Sequence, residues 1–108
     1  QKQNKFIKVN SDPKNSIKNA DVVFSDKVIS LNDKVNVKKK LKDFKKYKIT
    51  SSLFKYAKKK CIFLHCLPRG NEVDNKVFQS KNSQVWLQAL NRVHVQKSIL
   101  LFCFGKLR

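Results

Sequence analysis

Residues Cys61-Ile62-Phe63-Leu64 form a short apolar run that empties directly into His65-Cys66-Leu67-Pro68-Arg69. A run of this length stopped by a turn signal reads as a buried strand. Asp21-Val22-Val23-Phe24-Ser25-Asp26, with a β-branched centre and polar flanks, reads as a buried parallel strand. In a parallel α/β sheet, ligands bind in the crevice beyond the carboxyl ends of the strands. A thiol, an imidazole and a guanidinium cluster at or just past one such end, and the carboxyl group of Asp26 closes the other. If these strands are neighbours, Asp26 and Cys66 enter the same crevice.

The remaining pattern supports that architecture. Phe6-Ile7-Lys8-Val9 alternates as a short strand would. Asp12-Pro13 starts a helix, with Asp as N-cap and Pro at the first helical position, and that helix should end near Asn19. Val35, Val37, Leu41 and Phe44 share a helical face whose other side is lysine. Thr50-Ser51-Ser52 caps a further helix, with Leu53, Phe54 and Ala57 on its apolar side. An irregular stretch with Pro68 and Gly70 follows the second buried strand, then a helical turn at Lys76-Val77-Phe78. Asn82-Ser83 opens a long final helix in which Trp86, Ala89, Leu90, Val93 and Ile99 or Leu100 can share one face. The order β-α-β-α-α-β-α predicts an α/β fold: part of a doubly wound parallel sheet with flanking helices, ending in a long C-terminal helix.

Composition narrows the function classes. A chain of 108 residues holds one small domain or part of a larger one. It begins at Gln1 and contains no Met, so we expect the tail of a longer protein. No stretch approaches the roughly 20 apolar residues of a membrane span. Three cysteines without a secretion signal point to reduced thiols and a cytoplasmic setting. The net charge of +18 raises nucleic acid as a partner. However, the lysine runs 38–40, 45–46 and 58–60 fall on helical stretches or their ends, without aromatic residues at a stacking spacing. A solvated lysine face is the expected reading. Cys61, His65, Cys66 and His94 offer no CxxC pair, and Cys66 points away from Cys61 and His65 on a strand, so no metal is expected.

The string His65-Cys66-Leu67-Pro68 resembles the active-site segment of the ornithine carbamoyltransferases. The segment Gln88-Ala89-Leu90-Asn91-Arg92-Val93-His94-Val95-Gln96-Lys97 resembles the C-terminal helix of that family. The likeness implies that residues 1–108 are the C-terminal portion of an ornithine-binding domain whose carbamoyl-phosphate-binding partner domain lies outside this chain. It implies carbamoyl transfer from carbamoyl phosphate to the side-chain amine of ornithine, giving citrulline and phosphate, with no cofactor. It also implies a cytoplasmic homotrimer. By the same resemblance Cys66 is the catalytic residue. Asp26, Ser30, Leu31 and Cys66 would bind ornithine; Cys66, Leu67 and Arg92 would bind carbamoyl phosphate. His65 would help to shape the site, and His94 would face a neighbour. Taken alone, Cys66 would read as a small buried hydrophobe, Asp26 as a cap and Arg92 as a surface arginine.

The departures from the family bear on the amine. The family follows its Asp, after three residues, with Ser-Met-Gly in a loop that closes over the amino acid. Here Ser30-Leu31-Asn32 stands there, a volume-conserving change followed by a residue that tolerates left-handed backbone. The loop after Pro68 is two residues shorter than in many members, and no Ser-x-Arg-Thr phosphate-binding segment is present. Aspartate carbamoyltransferases carry a proline where Cys66 stands, whereas putrescine and acetylornithine carbamoyltransferases share much of the segment. A basic nucleic-acid-binding module is the alternative of another class. With so few strands, Val22, Val23, Phe63 and Leu64 are expected to be partly exposed, and the chain alone inactive.

Overall fold

A computed structural model describes residues 6–29 and 36–106. Helix α1 (Pro13–Ile17) starts as the sequence predicts: the Asp12 carboxylate accepts the Lys14 N–H, and proline occupies the first turn. The chain leaves it through Asn19, at φ 59°, whose N–H donates to the Tyr56 carbonyl. Strand β1 (Val22–Ser25) follows. Helix α2 (Val37–Phe44) is capped by the Asn36 side chain, and a 3-10 turn extends it over Lys45–Tyr47. Helix α3 (Ser51–Phe54) is capped by the Thr50 hydroxyl, which accepts the Leu53 N–H at 3.2 Å. Strand β2 (Ile62–His65), helix α4 (Asn75–Phe78) and helix α5 (Val85–Cys103) complete the order.

The two strands pair in parallel, with Val22 opposite Ile62, Val23 opposite Phe63, Phe24 opposite Leu64 and Ser25 opposite His65. The second edge of β2 is engaged by the segment that leads into α5. The Phe63 N–H donates to the Asn82 carbonyl at 2.8 Å, and the Gln84 N–H donates back to the Phe63 carbonyl at 2.9 Å. Side chains alternate across the pleat, so one face packs and the other does not. Val23 and Phe63 lie on the packed face with Ile17, Cys61, Val73, Val77, Phe78 and Val85. Leu53, Phe54 and Ala57 cover them, and Phe54 meets Phe63 edge-on at 6.2 Å between ring centres.

Three expectations are corrected. Residues 6–9 are a turn and irregular backbone rather than a strand. The sheet is not buried on both faces. Val22, Phe24 and Ile62 are exposed on its open side, Leu64 is half-buried, and Val23 and Phe63, expected to be partly exposed, are fully packed. Finally, the N-cap of α5 is Gln84 rather than Asn82 or Ser83. Asn82 instead donates its amide to the carbonyls of Lys59 and Cys61, which fixes the entry to β2.

Helix α5 buries only Val85. Trp86, Leu90, Val93, Ile99 and Leu100, the face expected to be apolar, are all exposed. Trp86 does meet Phe78 edge-on. The helix closes where Gly105 turns left-handed at φ 65° and the Lys106 N–H reaches back to the Leu101 carbonyl. Among the described residues, no helix is long and apolar enough to cross a membrane. The described fold is α/β, with parallel strands, flanking helices and a long C-terminal helix.

Candidate active site

Because Ser25 and His65 are register partners, the residues that follow them, Asp26 and Cys66, leave the sheet side by side. The Cys66 thiol donates to Asp26 Oδ1 at 2.9 Å, and the Lys27 N–H donates to the same oxygen at 2.7 Å. Both bonds favour the ionised carboxylate; the thiol bond first and the amide second hold Asp26 below its ordinary range. Desolvation, followed by the bond to Asp26, pushes the Cys66 thiol up. At neutral pH the pair is therefore a thiol beside a carboxylate. It presents hydrogen-bond acceptors to a cation and is not set up as a thiolate nucleophile.

The backbone that aims Cys66 is held by a buried pair. His65 is 1% exposed and Glu72 7%. His65 Nδ1 accepts the Leu67 N–H at 3.0 Å, which leaves Nε2–H to donate to Glu72 Oε1 at 2.9 Å. The same carboxylate oxygen accepts the Gly70 N–H. One imidazole and one carboxylate thus brace both ends of the turn from Cys66 to Asn71. The bracing has a local cost to offset: Leu67 sits at φ 47°, a left-handed conformation that costs a non-glycine residue about 1–3 kcal/mol. Burial opposes ionisation of Glu72, but the Gly70 amide, its own amide and His65 outweigh it, and its carboxyl lies below the ordinary value. A Cβ at Gly70 would stand 2.7 Å from Glu72 Oε2, so a larger residue there would displace this carboxylate. Sequence reasoning anticipated His65 as a strand-end residue and missed Glu72. The only available signal was an acid seven residues beyond a strand-end histidine.

Across the crevice, His65, Cys66, Leu67, Pro68, Gln88, Ala89 and Arg92 line a cavity of about 520 Å³. Since α5 begins at Val85, Arg92 lies about two turns into the helix. Of the residues expected to form the site, Cys66, Leu67 and Arg92 line this cavity, and Asp26 is joined to them through its bond to Cys66. Ser30 and Leu31 lie outside the described residues. His94 is exposed farther along α5. Arg69 is drawn aside, stacking on Phe78 and bonding the Asn75 side chain. Cys61 is buried in the core, where desolvation raises its thiol, while Cys66 opens to the crevice.

Residues 1–103 match the family described as aspartate/ornithine carbamoyltransferase, Asp/Orn binding domain. The chain belongs to this family. An ornithine carbamoyltransferase of Caldicellulosiruptor saccharolyticus is 43% identical over 98 residues, covering 88% of this chain and 32% of that protein. One from Staphylothermus marinus is 45% identical over 91 residues, covering 82% of this chain and 29% of its own. Among solved structures, the Pyrococcus furiosus ornithine carbamoyltransferase superposes with a TM-score of 0.79 at 38% identity, over 90% of this chain and 32% of that one. The chain therefore spans about a third of the length of these members of the carbamoyltransferase family.

Proposed function

We propose that this chain is the C-terminal portion of the ornithine-binding domain of an ornithine carbamoyltransferase. In this reading it works with a carbamoyl-phosphate-binding domain outside residues 1–108, in a cytoplasmic homotrimer. The observation that carries the reading is the Cys66–Asp26 pair facing the Arg92 cavity, in a chain of this family.

The amine of ornithine attacks the carbamoyl carbon, a C–N bond forms, the C–O bond to phosphate breaks, and the amine loses a proton. Two physical demands follow. An amine whose pKa is about 10 must be held and presented unprotonated. Asp26 and Cys66 supply acceptors for the amino groups of the substrate. Charge on the carbamoyl oxygen and the departing phosphate must meet fixed donors. The planar fork of Arg92 serves there, beside Leu67 and the Cys66 thiol. Ser30 and Leu31 complete the ornithine contacts in this reading. Holding two substrates in attack geometry supplies a large part of the rate.

The test is a product assay on the protein that carries both domains, with carbamoyl phosphate and, separately, ornithine, acetylornithine, putrescine and aspartate. Citrulline from ornithine at the highest kcat/KM supports the proposal. Preference for another amine reassigns the substrate, and no product from any amine removes the activity.

A further inference from the structure

The outer edge of β2 loses its backbone partner at a particular point. Phe63 on that edge bonds Asn82 and Gln84, but after Gln84 the chain turns into α5 and offers no further strand. His65, two residues on, presents its N–H to the same edge and is buried. A buried backbone donor requires an acceptor. The side chain of Gln88 provides it, with Oε1 accepting the His65 N–H at 3.0 Å. Because the partner is a donor, the facing atom must be the amide oxygen. Gln88 stands four residues before Arg92 on one face of α5, and both line the cavity that also contains Cys66.

We infer that Gln88 is a positioning residue of this site: by accepting the His65 N–H it locks the end of β2 to α5 and sets Cys66 against Arg92. The inference rests on the proposed carbamoyl transfer for its kinetic consequence, and on geometry alone for its structural one. What matters is the acceptor oxygen, not the amide N–H groups. Glutamate at this position keeps the acceptor; methionine keeps the length and removes it.

The experiment compares Gln88→Glu and Gln88→Met in the protein that carries both domains. It reads steady-state constants and the alkylation rate of Cys66 followed on its own peptide by mass spectrometry. Gln88→Met should lower kcat/KM for carbamoyl phosphate about 10- to 100-fold. It should change Cys66 alkylation in the same preparation, while Gln88→Glu stays near the parent on both. Parent-like behaviour of Gln88→Met, or equal damage by both variants, overturns the inference. If the parent makes no citrulline yet Cys66 reactivity still separates the variants, the proposed activity fails and the positioning stands. Hydrogen exchange of the His65 amide in the unmutated protein covers failure of a variant to fold. Protection equal to that of Phe63 is expected, and exchange at the rate of an open amide contradicts the bond.

Discussion

The Cys66 thiol lies 2.9 Å from the Asp26 carboxylate, although 40 residues separate them in the sequence. Each shifts the other: the thiol favours the ionised carboxylate, and the carboxylate opposes ionisation of the thiol. Asp26→Asn removes that opposition, so the pH midpoint for alkylation of Cys66 should move down. Desolvation remains and limits the movement. An upward or absent shift would mean that the two groups are uncoupled in solution.

In the proposed carbamoyl transfer, the same substitution should separate the two substrates. Losing a charge-assisted acceptor of about 1.5–3 kcal/mol should raise the KM for ornithine about 10- to 100-fold. The KM for carbamoyl phosphate should move far less. Equal effects on both, measured by steady-state kinetics, would give Asp26 a purely structural role.

Arg92→Lys keeps the charge and loses the planar fork. We expect kcat/KM for carbamoyl phosphate to fall about tenfold or more, with ornithine binding little changed. Parent-like use of carbamoyl phosphate would leave Arg92 as a surface residue at the cavity rim.

Glu72 should show in the pH dependence of stability. Its carboxyl is held below the ordinary value of 4.5, so its stabilising share is complete above that value and is lost as pH falls through the lower, folded-state value. Glu72→Gln should flatten this part of the acid limb in denaturation curves. Glu72→Ala strands the Gly70 N–H and the His65 ring N–H, and should cost about 1–3 kcal/mol for each donor left without a partner. An unchanged acid limb in Glu72→Gln would show that the brace is already open in solution.

Much of this arrangement is legible in the sequence, for reasons that differ by element. Asp12-Pro13 and Thr50 announce their helices because capping is local chemistry, settled within three residues. The two strands, and Asp26 and Cys66 just past their ends, are legible because apolar runs and their stops are local too. Residues 6–9 mislead because alternation over four residues is a weak signal, and the backbone there is a turn and irregular structure. Which face of β1 is packed depends on where Leu53, Phe54 and Ala57 settle, so Val22 and Val23 could not be told apart by composition. The contacts of Glu72 and Gln88 with the end of β2 were not legible, because each is a side-chain hydrogen bond to His65, across 7 and 23 residues.

Citrulline kinetics and circular dichroism on one preparation of the Cys66→Ala variant, in the protein that carries both domains, decide whether Cys66 acts on the substrates. A native spectrum, a raised KM for ornithine and a slower turnover are expected. A variant that loses folded protein while its remaining folded fraction keeps full activity would contradict that role, and would make Cys66 a packing residue.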